Sequence, residues 1–152
     1  MPHRGSLLGI RNVADRCTIQ FPGWDVPPAN PERAVDGDLN TYAGTARSTL
    51  GSAGVAGHVQ IMFPSPGVYL VGGKYGVWSS DGSTRISVEV YDDGVWRWIE
   101  TVMGSTAASS ERVVSVLPIL VGGEGARHSV YVNTAATVYL NIYELFVYKL
   151  RP

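Results

Sequence analysis

Between residues 84 and 102 the chain alternates, turns and alternates again, and no other stretch limits the fold so tightly. Ile86, Val88 and Val90 fall on one side of an extended segment and Arg85, Ser87 and Glu89 on the other, the period-two pattern of a half-buried strand. Asp92-Asp93-Gly94 follows, a sequence that tolerates the positive φ angles of a tight hairpin turn, and residues 95–102 carry the returning strand.

Further strand segments flank this hairpin. Residues 18–21 read as a short strand leading into a proline-rich loop with Trp24, Pro27, Pro28 and Pro31. Residues 58–63 place Val59, Ile61 and Phe63 on one face and His58, Gln60 and Met62 on the other. Residues 68–78 form a longer apolar run broken at Gly72-Gly73, where a bulge or close backbone approach is expected. Residues 112–121, 129–133 and 137–150 complete the set. In the last, Val138, Leu140 and Ile142 hold one phase and Leu145 and Val147 the other, which predicts a bulge near Tyr143-Glu144. Eighteen glycines and nine prolines punctuate the whole length, and no stretch shows a capped helical period, a repeat or a linker. The expectation is one all-β domain over residues 12–152, an antiparallel β-sandwich or jelly roll, preceded by an arm over residues 1–11.

Charge and cysteine content narrow the function classes. The formal net charge is −1 with 16% charged residues, so no broad basic surface exists to neutralise phosphates, and nucleic acid is not an expected partner. Cys17 is the only cysteine, so no intrachain disulfide forms. The Leu7-Leu8-Gly9-Ile10 patch is too short for the apolar segment of a signal peptide, and nothing later approaches a membrane span. The reading is a chain neither exported by that route nor inserted in a membrane.

The stretch Ala34-Val35-Asp36-Gly37-Asp38-Leu39-Asn40-Thr41-Tyr42 crowds two carboxylates, a glycine turn and a hydroxyl onto one bend. Oxygen ligands in such a loop suit a hard cation such as calcium, while Asp36 and Asp38 alternatively close Asx turns on their own backbone. The stretch resembles the AVDGD-xx-T signature of the discoidin family, the coagulation-factor C-terminal or galactose-binding-like domains, which includes the family 32 carbohydrate-binding modules. Asn12-Val13-Ala14, the segment from Val88 to Trp96 and Tyr143-Glu144-Leu145-Phe146-Val147-Tyr148 fall in that family's order, so the resemblance runs from Asn12 to Tyr148. It implies a galactose-binding-like sandwich and a structural calcium site: Asp36 and Thr41 match side-chain ligands, Ala34 and Asp38 match positions offering backbone carbonyls, and Glu144 matches the carboxylate that closes the site. The cysteine pair that ties the ends of animal members is missing, which argues against a clotting or receptor role.

Four tryptophans and eight tyrosines are the usual material for stacking on sugar rings. Trp96 and Trp98, on alternate positions after the hairpin turn, are assigned mainly to packing. Trp24 in the proline-rich loop and Trp78 before Ser79-Ser80-Asp81-Gly82 are the expected exposed aromatics. The histidine and arginine with which galactose-binding relatives hold the sugar are absent: the matching regions read Tyr42-Ala43-Gly44-Thr45-Ala46-Arg47 and Tyr75-Gly76-Val77-Trp78-Ser79. A glycan site would therefore be rebuilt from Trp24, Arg47 and Trp78 at the loop end of the sandwich.

Catalysis is not expected. His3, His58 and His128 stand apart in sequence, no Gly-x-Ser-x-Gly elbow or paired zinc-ligand spacing occurs, and Cys17 has no activating motif. The expectation is a non-catalytic binding module that works by assembly, as a homo-oligomer or among other virion proteins, on a phage tail or capsid surface where many copies add avidity to weak glycan contacts. The alternatives are a purely structural virion or decoration protein and a cytoplasmic bacterial lectin-like protein.

Overall fold

The computed structural model describes residues 6–7, 10–81, 83–103 and 109–151. Most of the expected arm over residues 1–11, and Gly82 of the loop after Trp78, lie outside them. Among the described residues the strands are, in chain order, β1 (Ser6–Leu7), β2 (Ile10–Arg11), β3 (Thr18–Gln20), β4 (Ala43–Leu50), β5 (Gly54–Ser79), β6 (Arg85–Asp92), β7 (Val95–Met103), β8 (Arg112–Val132) and β9 (Ala136–Arg151), with 3-10 turns at Ala14–Arg16 and Pro31–Val35. β1 and β2 pair only with each other, and the rest join antiparallel in the order β4-β9-β5-β8-β6-β7, with β3 added on β5. No helix among them is long and apolar enough to cross a membrane.

Two strands run through both layers. Residues 54–62 of β5 pair with residues 125–132 of β8, and residues 67–77 pair with residues 112–123. Residues 54–62 of β5 and 125–132 of β8 are flanked by β3 and by the β6–β7 hairpin, and the second half of β5 by β9, which carries β4 on its far side. The product is a sandwich of two antiparallel layers, β3-β5-β8-β6-β7 and β4-β9-β5-β8, joined where strands turn the corner.

Four segments expected as separate strands, residues 58–63, 68–78, 112–121 and 129–133, are thus halves of two. Pro64, Pro66 and the glycines at 122, 123 and 125, which read as turn punctuation, are bends within continuous strands. A Cβ on Gly123 would stand 2.5 Å from the Tyr91 carbonyl oxygen and one on Gly125 would stand 2.8 Å from the Ile61 carbonyl oxygen. Only glycine lets the neighbouring strands pass so closely at the corner.

The local expectations hold. Asp93 (φ 54°) and Gly94 (φ 78°) make the hairpin turn between paired Asp92 and Val95. The register shifts between Val71 and Gly73. On β9, Glu144 pairs with Lys74 and Ile142 with Tyr75, leaving Tyr143 as the extra residue. That bulge lets Val138, Leu140, Ile142, Leu145 and Val147 all face the core at 0% exposure. β4 was not expected. Asn12 is tied into the packed body: it is fully buried, its Nδ2 donates to the Leu145 carbonyl (3.0 Å), and its Oδ1 accepts from the Val147 amide (3.0 Å).

Candidate functional site

The outer face of the β4-β9-β5 layer carries a row of side chains set by strand register. Arg47 pairs with Tyr139, and Tyr139 with Trp78. The Trp78 and Tyr139 rings stack with centroids 5.0 Å apart and planes 10° from parallel. Val26, Thr45, Arg47 and Tyr139 line a cleft of about 250 Å³, closed on one side because Val26 and Arg47 exchange backbone hydrogen bonds of 2.9 and 3.0 Å. The Arg47 side chain is exposed and forms no ion pair among the described residues.

The next row is polar. Thr45 Oγ1 donates to Asn141 Oδ1 (2.8 Å), and Asn141 Nδ2 (2.6 Å) and the Tyr143 hydroxyl (3.0 Å) both donate to Glu111 Oε2. Partial burial, reinforced by the Glu111 carboxylate, pushes Tyr143 up to about 12, so its hydroxyl remains a donor. Beyond the Trp78 end, hydrogen bonds from Ser79, Thr134 and Ser83 fix Asp81 and hold its carboxyl well below the usual range. Stacked aromatics beside an unpaired guanidinium and a hydroxyl–amide–carboxylate chain make an amphipathic surface able to take one face of a ring and its edge hydroxyls.

Arg47 and Trp78 are therefore brought together, through Tyr139, although they lie on strands rather than loops. Trp24 is not part of the face. It is 7% exposed, its Nε1 donates to the His58 carbonyl (3.2 Å), and its ring occupies the space a side chain at Gly57 would need. The proline-rich loop is pinned by this indole, so Trp24 acts as an anchor. The packing assignment of Trp96 and Trp98 is also corrected. Both take the outward phase of β7, opposite Tyr91 and Glu89; Trp96 is half-buried under the Arg127 guanidinium (4.2 Å), and Trp98 is 61% exposed. Sequence reasoning missed Thr45, Glu111, Tyr139 and Asn141. Tyr139 and Asn141 did carry a signal, the outward phase between core residues of β9.

The Ala34–Thr41 loop lies against β9. Asp36 Oδ1 accepts from the Asp38 amide and Asp38 Oδ1 from the Asn40 amide (both 2.9 Å), so the Asx turns form. Thr41 Oγ1 donates to Asp36 Oδ2 (2.6 Å), and the Gly37 amide donates to Glu144 Oε2 (2.9 Å). Glu144 is 1% exposed and Ala34 fully buried. The five expected calcium residues thus gather around one loop, with oxygen donors only, which fits a hard cation. Among the described residues no three His, Cys, Asp or Glu side chains group as a metal site, so a cation there would draw on hydroxyl and backbone oxygens as well.

On the opposite layer, His58 Nδ1, Ser129 Oγ and Glu89 Oε2 line up at 2.6 and 2.8 Å, and Arg127 completes the chain with bonds of 2.9 and 3.2 Å to Glu89. The order is wrong for a nucleophile. Ser129 is fully buried and donates to the carboxylate, whereas an activated serine donates to a histidine that the carboxylate orients. Burial, helped by Arg127 and opposed by Glu89, lowers His58. Burial also pushes the Cys17 thiol up to about 12, with Asp15 adding to it, so it is not a reactive thiolate.

No family model matches the chain, and no curated protein matches it in sequence. Solved structures match its fold. The family 32 carbohydrate-binding module of Clostridium perfringens NanJ, solved with galactose, superposes with a TM-score of 0.51 at 14% identity, over 90% of this chain and 96% of that one. Chitosan-binding module 1 of a Paenibacillus chitosanase/glucanase gives 0.51 at 17% identity, over 91% and 98%. SpGH29 gives 0.53 at 16% identity over 91% of this chain, which spans only 28% of that protein. The fold is that of galactose-binding-like carbohydrate-binding modules.

Proposed function

We propose that this domain is a non-catalytic glycan-binding module whose primary site is the Arg47–Tyr139–Trp78 face. The observation that carries the reading is the stacked Trp78–Tyr139 pair beside an unpaired Arg47 on a fold shared with modules solved in complex with galactose and with chitotriose. A sugar ring lies along the cleft edge, Arg47 and Thr45 take its hydroxyls, and the Asn141–Glu111 chain keeps the polar row in place. One such site supplies roughly 4 to 6 kcal/mol, corresponding to millimolar to high micromolar binding. Useful adhesion then comes from many copies, and a virion surface, phage tail or capsid, is the setting we propose for that display. A structural calcium at the Asp36 loop is part of the same reading: Asp36, Thr41 and Glu144 would hold it with carbonyls of Ala34 and Asp38, and when bound it supplies a fixed cross-link between loop and β9.

The second reading, a structural module that uses its sandwich for subunit contacts, is favoured by one observation. Val113, Leu117 and Leu120 on β8 are 48%, 75% and 58% exposed. A glycan array probed with the multimerised protein separates the two. Specific signal lost in Arg47→Ala, Tyr139→Ala and Trp78→Ala variants that keep their strand content supports adhesion; a blank array, with self-association lost on Leu117→Lys, supports the structural role.

A further inference from the structure

The face of the other layer holds a cleft of about 280 Å³ lined by Arg85, Ser87, Trp98, Thr101 and Tyr131. Register builds it across three strands: Arg85 pairs with Tyr131 of β8, and Ser87 with Thr101 of β7. The register of β7 slips twice here, between the Ile86 and Ser87 pairings and between the Val88 and Glu89 pairings, so bulges flank the cleft on both sides, a placement that re-aims side chains. Trp98 forms one wall with its indole 61% exposed. Arg85 reaches over the Tyr131 ring at 5.8 Å and forms no ion pair among the described residues.

The floor is the unusual part. Ser87 faces outward in the strand alternation yet is 2% exposed, and its Oγ is buried without a hydrogen-bond partner among the described residues. An unmet hydroxyl in that position is destabilising, and native structures leave few such groups without a partner or a role. A ligand hydroxyl entering the cleft supplies the missing partner. Among the described residues no carboxylate lines the cleft, and the nearby Glu89 is already neutralised by Arg127.

We infer that this cleft is a second saccharide site, separate from the Arg47 face and on the opposite layer, and that it takes a carboxylated pyranose. The apolar face of the ring stacks on Trp98, the carboxylate pairs with Arg85, whose planar guanidinium suits bidentate recognition, and a ring hydroxyl bonds Ser87 Oγ. The volume is just under the roughly 300 Å³ at which drug-sized pockets begin, so the cleft holds one sugar residue rather than a chain.

The test is a calorimetric titration of the intact chain with a uronic-acid oligosaccharide and with its neutral methyl ester. In an Arg47→Ala background, which silences the primary face, the acid form is expected to bind, the ester to bind about tenfold more weakly, and Trp98→Ala and Arg85→Gln each to remove binding of the acid form. Ser87→Ala is the control for folding. It weakens binding but raises or preserves the melting temperature, because it removes an unmet buried group. Equal binding of ester and acid in that background overturns the assignment, as does acid binding that survives the further change Trp98→Ala, or no acid binding at all once Arg47 is replaced. Sedimentation showing that Trp98→Ala dissolves a dimer, with no sugar bound by the parent, also overturns it and gives the cleft to a second copy of the chain.

Discussion

His128 sits 1% exposed in the core with its Nδ1 paired to the Tyr75 hydroxyl. Burial lowers it to about 4 and pushes Tyr75 well above the ordinary phenol range, so both stay neutral. The folded state therefore refuses a proton that the unfolded chain accepts below about 6.5. Stability from this residue is fully present above that pH and is lost progressively as pH falls toward 4, on the order of 3 kcal/mol in all. His58 shifts in the same direction. Urea midpoints measured between pH 7 and pH 5 should fall for the parent chain and fall distinctly less for His128→Gln. A midpoint unchanged over that range in the parent contradicts the neutral-core reading. His128 was left unassigned because it stands one residue before the expected strand 129–133, and its inward phase is set by pairing with Val59 and Val88 on neighbouring strands.

Among the elements, legibility followed how local the cause was. The β6–β7 hairpin could be read because Asp93 and Gly94 carry its chemistry themselves. Gly94→Val, which forces a β-branched side chain into φ 78°, should cost about 1 to 2 kcal/mol in a thermal or urea melt, with glycan binding unaffected; no change would place the turn's origin elsewhere. The β9 bulge was equally legible from the phase change at Tyr143. β4 was not. Ala43-Gly44-Thr45-Ala46-Arg47-Ser48 holds one β-branched residue, Thr45, and no aromatic one, too little to announce a strand, and it is extended because β9 lies beside it. The candidate site suffered for that: Arg47 was identified as a cation on a loop, while its real placement on β4 opposite Tyr139 depended on a pairing formed over about 90 residues. Trp98 shows the complementary limit, since alternation gives the side of a strand but not what covers it.

At the scale of the molecule, the Asp36 loop is fastened to β9 through Glu144 and to β5 through Lys74, whose Nζ donates to the Leu39 carbonyl (3.0 Å). If calcium occupies the loop, excess calcium should raise the melting temperature by the binding linkage, EDTA should lower it, and Asp36→Ala should abolish both responses. Identical melts with calcium and with EDTA would remove the cation from the proposal and leave the Asx turns as the loop's whole support. The two proposed saccharide faces lie on opposite layers, so a single domain binding at both would bridge two glycans rather than grip one more tightly.

The pairing of Asn12 with Leu145 and Val147, 133 and 135 residues away, also sets a timetable. β9 is interior to its layer, between β4 and β5, so that layer has no middle until the final described strand has left the ribosome. β4 has only the isolated bridges to Val26 and Ala29 before then, with no strand beside it, and β5 waits with one edge bare. Such long-range closure is slow by nature and leaves apolar strands uncovered meanwhile. The domain thus assembles after its synthesis rather than during it, and the nascent chain has most need of a chaperone while everything but its last strand has been made.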